Sequence, residues 1–158
     1  MVLALAACGG GSKKTETVPT GTGSGSAVVV APRLEIAEIS ISDNGTTLFV
    51  HGDGSVEAVD GDKRQPIGTL TSDGKLTTIE GEVAQLQEDG IFTTKDGPAP
   101  FKLVDEALVV GEAKFTIDAN GVIQGGKVDL TRVKLTGVTN RGTRRTALLM
   151  LGILTLSQ

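Results

Sequence analysis

From Arg33 onward the apolar residues fall in short runs cut by glycine turns, and no run of helical period interrupts them before residue 143. Leu34, Ile36, Ile39 and Ile41 alternate in two phases, which predicts a strand with a bulge near Ala37. Asp43-Asn44-Gly45 turns that strand into Thr46 to Val50. Asn-Gly is a strong hairpin signal, because a type I′ turn needs positive φ at both central residues.

The middle of the chain repeats. Asp73-Gly74-Lys75-Leu76-Thr77-Thr78-Ile79-Glu80-Gly81 recurs sixteen residues on (89 − 73) as Asp89-Gly90-Ile91-Phe92-Thr93-Thr94-Lys95-Asp96-Gly97. A looser copy, Asp53 to Gly61, precedes both. Each unit reads as turn, short strand, acidic-Gly turn and return strand, with the returns at Gln65 to Thr71, Glu82 to Gln87 and Phe101 to Val104. Ala107 to Val110, Ala113 to Ile117 and Val122 to Gln124 continue the pattern, with Asn120-Gly121 as a tight turn, and Lys127 to Val138 reads as a basic strand or pair of strands. Short strands at such spacing predict an all-β chain: an antiparallel meander of hairpins forming a single sheet, a sandwich or a small open barrel.

After Asn140-Arg141-Gly142 the chemistry changes. Thr143 to Leu156 is rich in Ala, Leu and Met, which predicts a short apolar helix with Thr143 as its N-cap. Its ten-residue apolar run falls short of the roughly 20 residues that span a bilayer, so it is expected to close an apolar sheet face. A buried C-terminal strand and docking into the lipid interface are the alternatives. Arg144 and Arg145 then belong at the rim, near the acidic hairpins.

Composition sharpens this picture in two respects. Tyr and Trp are absent, and Phe49, Phe92, Phe101 and Phe115 are the only aromatics, so aliphatic packing must build the core. The net charge of −4 is uneven: Lys127, Arg132, Lys134, Arg141, Arg144 and Arg145 face only Asp129, giving +5 there and −9 over residues 1–126. Such asymmetry implies that the acidic and basic parts meet different partners, or each other. An acidic body without stacking aromatics argues against nucleic acid.

Candidate chemistry is sparse. His51 is the single histidine, and no nucleophile elbow accompanies it, so a solvated position is expected. Zinc would need more His or Cys ligands than the chain holds. Asp53, Glu57, Asp60 and Asp62 are weak calcium candidates, as are Asp118 and Asn120, but neither stretch has the spacing of a calcium loop. Turn geometry alone explains Asp and Asn there. Glu80 with Glu82, or Asp105 with Glu106, are the carboxylate pairs a hydrolase would draw on. No cofactor is expected.

One stretch suggests a location. Leu5-Ala6-Ala7-Cys8 is an aliphatic residue, two small residues and the single cysteine, followed by Gly9-Gly10-Gly11-Ser12. It resembles the lipobox of bacterial lipoproteins. The resemblance implies a diacylglyceryl group on Cys8, removal of residues 1–7 as the remnant of a signal peptide, and palmitate-type acylation of the new N-terminus. Met1 to Ala7 lacks Lys and Arg and is short for a leader, so the natural start is expected upstream. With Cys8 lipidated no thiol remains for a disulfide. Residues 8–30 read as a flexible tether, whose roughly 20 residues reach about 25 Å. Residues 31–142 are the hairpin-repeat domain, and 143–158 the segment packed on it. Gly9 after the cysteine lacks the Asp that retains some such proteins in the inner membrane, so by analogy the outer membrane, facing the periplasm, is expected. The implied function is a non-catalytic envelope module that displays or binds. An envelope enzyme or accessory, and a carrier of a small apolar ligand, are the alternatives. The implied partners are membrane lipid and an envelope protein or polysaccharide.

Overall fold

The computed structural model describes residues 33–126, 130 and 132–156. Among them are β1 (Ile39–Asp43), β2 (Thr46–Val50), β3 (Ser55–Asp60), β4 (Lys63–Leu70), β5 (Lys75–Thr78) and β6 (Val83–Leu86). There follow β7 (Ile91–Thr94), β8 (Gly97–Val104), β9 (Ala107–Val110), β10 (Ala113–Ile117), β11 (Ile123–Gly125), β12 (Lys134–Thr136) and the helix α1 (Arg141–Leu156). The strands form one open antiparallel sheet. It meanders in sequence order from β1 to β11, and β12 returns to pair with the free side of β1, leaving β11 and β12 as edges.

That sheet cannot be flat. Twelve strands laid flat put their edges about 53 Å apart at ~4.8 Å per spacing. Residues 126–133, which join the two edge strands, reach at most about 30 Å. The helix shows where the curl leads. Ala147, Leu148, Leu149, Met150 and Leu151 are all buried, and consecutive helical residues turn by about 100°, so these five sweep more than a full circle. A helix lying on one sheet face would bury only a stripe. Here α1 packs on β1 at one end of the strand order and on β8, β9 and β10 near the other, so the sheet wraps around it.

The repeat builds the inner face. Val56, Leu76 and Phe92 follow the Asp-Gly turns by two residues and are buried, as are Leu70, Leu86 and Leu103 on the return strands. Phe92 stacks on Phe101 with centroids 5.7 Å apart, and Phe101 lies against Gly152 of the helix, where a Cβ would come within 2.8 Å of the ring.

Two turn designs recur along the meander. Asn44 and Gly45 have φ of 50° and 89°, the type I′ pattern expected of Asn-Gly. Among the described residues, loops 51–55, 71–75, 78–82, 87–91 and 118–122 share a second design. The first residue donates its N–H to the fifth residue's carbonyl and accepts from the fourth, a glycine. This is a three-residue hairpin loop with glycine in the left-handed position. It explains why Gly follows Asp, Glu or Asn throughout the repeat.

Three details differ from the sequence expectations. The first strand starts at Ile39 rather than Leu34, because Leu34 and Glu35 are used elsewhere: Leu34 N–H donates to Ser72 O and Glu35 N–H to Gly142 O. The strand β8 begins at Gly97 and runs through Pro98 and Pro100, and β4 contains Pro66. Register shifts beside these prolines, between Val56 and Glu57 and between Ile91 and Thr93, absorb the missing donors and add twist. Finally, the helix starts at Arg141 with Asn140 as its cap. Asn140 Oδ1 accepts from Thr143 N–H at 3.0 Å, and Thr143 Oγ1 accepts from the Thr139 and Asn140 N–H groups. Thr143 is the reciprocal member of a capping box rather than the cap, since its side chain reaches back while that of Asn140 reaches forward.

Two predictions follow from this packing. Gly90 (φ 82°) and Gly121 (φ 78°) share a backbone conformation, but a Cβ on Gly90 would meet Leu103 O at 2.1 Å whereas one on Gly121 meets nothing. Gly121→Ala should cost about 1–2 kcal/mol, the strain of the left-handed region alone, and Gly90→Ala clearly more; equal losses in urea melts would refute the close approach. Leu149→Asp should abolish the cooperative melt, since a buried unpaired carboxylate is strongly unfavourable. An unchanged melting temperature would contradict the wrapped helix.

Candidate functional site

The antiparallel order gives the wrapped sheet two mouths. Loops 51–55, 71–75, 87–91 and 118–122 and turn 105–106 lie where the helix begins. Turns 44–45, 61–62, 95–96 and 111–112 and loop 78–82 lie where it finishes.

The first mouth is closed by polar contacts. Thr146 Oγ1 donates to Glu35 O at 2.8 Å and Asn140 Nδ2 to Glu35 Oε1 at 2.9 Å. On the opposite wall Glu106 receives Arg144 at 3.2 Å and Arg141 at 3.3 Å, and Arg145 Nε donates to Asp105 O at 2.9 Å. Asp105 adopts φ 52° in that turn. Arg141 and Arg144 thus meet the acidic body itself, and Arg132 does the same with Asp43 at 3.4 Å. Asp105 and Glu106 anchor the helix instead of forming a reactive pair.

Asp53, Asp118 and Glu82 are similarly engaged. Asp53 Oδ1 accepts from the Ser55 N–H and hydroxyl at 2.9 and 2.7 Å, which hold its carboxyl below the usual range, the hydroxyl contact most strongly. Asp60 and Asp62 lie at the far end of β3 from Asp53. Seven residues at ~3.3 Å each place Asp53 about 20 Å from Asp60, too far to share an ion. Asp118 accepts from the Val122 and Asn120 N–H groups and from Gln124, and the backbone contacts lower its pKa. Glu82 pairs with Lys95, while Glu80 is exposed in its loop. Among the described residues no group of His, Cys, Asp and Glu side chains is arranged to hold a metal ion. Cys8 and the tether lie outside the described residues.

His51 has more company than its sequence context suggests. It follows β2, its Nδ1 3.1 Å from Glu38 Oε2 and its Nε2 3.2 Å from Glu57 Oε1. Glu57 also binds Arg64 at 2.8 Å, and Glu38 accepts the Gly52 N–H at 2.7 Å. The imidazole stacks on Phe49 with centroids 6.1 Å apart. Both ring nitrogens are engaged, so the arrangement clamps the segment before β1 to the β2–β3 loop. Nothing in sequence order pointed to Glu38, thirteen residues away; only the pairing of β1 with β2 brings it there.

The second mouth is where the apolar interior meets solvent. A hollow of about 370 Å³ opens between the helix and β5–β7, floored by Leu76, Ala84, Phe92 and Ile153. Glu82, Lys95 and Asp96 stand among its polar lining residues. A second hollow of about 290 Å³ lies between the helix and β9–β10, lined by Leu108, Phe115, Leu130 and Leu151. Ile79, Val83 and Leu156 are 67%, 47% and 40% exposed and belong to this mouth. Among the described residues no helix is long and apolar enough to cross a membrane. The sequence pattern identified none of these hollows, because each needs strands and helix from distant parts of the chain.

The His51 clamp makes a pH prediction. Hydrogen bonds donated by the imidazolium to Glu57 and then to Glu38 raise the His51 pKa above the ordinary imidazole value. Asp53 adds negative charge nearby, and Arg64 shares Glu57 with the ring. A raised folded pKa means stability that is full below the unfolded value and is lost as pH rises through the folded one. Urea melts should therefore show His51→Gln destabilised relative to wild type at pH 5.5, with the gap narrowing at pH 8.5. A gap independent of pH would refute the ionic clamp. Comparison of the chain with protein-family models, with curated proteins and with solved structures finds no match, so the residues and their geometry carry the functional reading.

Proposed function

We propose that this chain is a non-catalytic binding module of the bacterial envelope, tethered by acylated Cys8 and most at home on the outer membrane facing the periplasm. The observation that carries the binding role is the contrast between the two mouths. The carboxylates of Asp53, Glu106 and Asp118 are committed to turns and to the arginines of the helix start, where the Asp105 carbonyl also takes Arg145. By contrast, apolar side chains border two open hollows where the helix ends. The tether is supported by Leu5-Ala6-Ala7-Cys8 and the Gly/Ser/Thr stretch after it. Two or three acyl chains give stable anchoring where one gives marginal binding.

A carrier of a small apolar ligand is the more specific form of this reading, favoured by the 370 Å³ hollow, which lies within the size range of small-molecule sites. An envelope enzyme would need two uncommitted carboxylates in one cleft; Glu82 and Asp96 both line the larger hollow, but Glu82 is paired there with Lys95, and Glu106 is held by Arg141 and Arg144.

The tether has a direct test. Expressed in a bacterial host with its natural upstream sequence, the protein should incorporate an alkyne fatty acid and partition into detergent. Cys8→Ser should remove both properties. Equal labelling of the two versions would overturn the anchored reading.

A further inference from the structure

The two mouths differ in chemistry, and the larger hollow has the features of a site rather than a packing defect. Its floor is inner-face side chains of consecutive strands, Leu76 on β5, Ala84 on β6 and Phe92 on β7, with Ile153 contributed by the helix. Leu76 and Phe92 are themselves 5% and 1% exposed, so they back the hollow from beneath, and the half-buried Ala84 and Ile153 with the exposed Leu156 are its reachable apolar walls. Val83 and Leu156 line it and remain exposed. Exposed apolar groups gathered at a concave site mark ligand grooves, while singly scattered ones need no explanation. Thr78 and Thr94 add hydroxyls to its lining. Thr78 Oγ1 accepts the Glu82 N–H at 3.1 Å and keeps its own O–H as a donor. Thr94 Oγ1 donates to Gly97 O at 3.1 Å and accepts the Asp96 N–H at 3.3 Å, leaving one lone pair to accept.

The charges decide which head group fits. Lys95 is engaged by Glu82, and Asp96 adds a second carboxylate, so the lining sums to −1 (two carboxylates, one ammonium). An anionic head would have to break the Lys95–Glu82 pair and face Asp96. At about 30 Å³ per heavy atom, water's share of liquid volume, 370 Å³ holds on the order of a dozen atoms. That is one tail, not two.

We infer that the hollow between the helix and β5–β7 binds a single-tailed amphiphile of about ten carbons with an uncharged, hydrogen-bonding head, its tail along Ala84, Ile153 and Leu156 above the buried Leu76 and Phe92, and its head toward Thr78 and Thr94. This rests on the reading of the folded part as a binding module and supplies the ligand class. It is independent of the tether, because its test uses the unlipidated full chain in solution.

The test is fluorescence titration with the neutral probe N-phenyl-1-naphthylamine, followed by displacement with 1-decanol and with decanoate. Saturable probe binding is expected, with decanol displacing at least tenfold more effectively than decanoate. Ala84→Phe, which fills the floor, should weaken binding at least tenfold, whereas Ala113→Phe in the other hollow should leave it unchanged. Should Ala84→Phe fail to melt cooperatively, Leu156→Asp at the exposed rim serves instead, with the same loss expected. Absence of saturable binding overturns the site. So does wild-type affinity in a folded Ala84→Phe variant, or loss confined to Ala113→Phe. Equal displacement by decanoate overturns the head-group assignment. Dimerisation in sedimentation that Leu156→Asp abolishes, without probe binding, overturns the proposal in favour of a second copy of this chain.

Discussion

Everything else in this protein depends on burying one apolar helix inside a sheet that has no other means of completing a core. Leu148, Leu149, Met150 and Leu151 have almost no exposed surface. At about 1.5–3 kcal/mol for each large side chain, their burial contributes on the order of 6–12 kcal/mol. That figure is an upper bound, because unfolded chains already bury some apolar surface. It still matches the whole net stability of a typical domain, about 5–15 kcal/mol. The sheet has the reciprocal need: its inner face is aliphatic, with only Phe92, Phe101 and Phe115 as buried aromatics. Each part thus completes the core of the other.

The same arrangement sets the functional asymmetry. A helix inside a wrapped sheet must enter at one end, and its N-terminal turn carries free N–H groups that need partners. Asn140 and Thr143 satisfy them locally, and Arg141, Arg144 and Arg145 reach the turn at Asp105-Glu106. That end is therefore spent on structure. At the other end the helix finishes without a basic residue in its last turn, and apolar side chains line two hollows there. Binding is proposed at that end because apolar side chains there border open hollows, whereas the other end is closed by polar contacts.

How much was legible in the sequence follows from the range of each interaction. The hairpins were readable because Asn44-Gly45 and the Asp-Gly units fix turns within five residues. Strands β9 and β10 fall where the apolar runs place them. Prolines hid the start of β8, since a strand containing Pro98 and Pro100 is tolerated only beside a register shift that local sequence does not reveal. Leu34 and Ile36 have strand-like alternation, yet tertiary bonds from Leu34 to Ser72 and from Glu35 to Gly142 prevail over it. The choice between single sheet, sandwich and barrel was open because it turns on where β12 pairs, a contact with β1 almost a hundred residues away. His51's partners and both hollows were illegible for the same reason. The charge imbalance was visible, and its resolution within the chain was one of the two outcomes it allowed.

The central claim, that helix and sheet form one cooperative unit, is tested most directly by native-state hydrogen exchange on the folded chain. Amides of residues 147–152 should exchange only through the same opening as those of Leu70, Leu86, Leu103 and Leu108, with a common free energy and a common denaturant dependence, as expected of one cooperative core. Exchange of the helix amides through a separate, lower-energy opening, while the strand amides stay protected, would contradict it: the sheet would then stand without its helix.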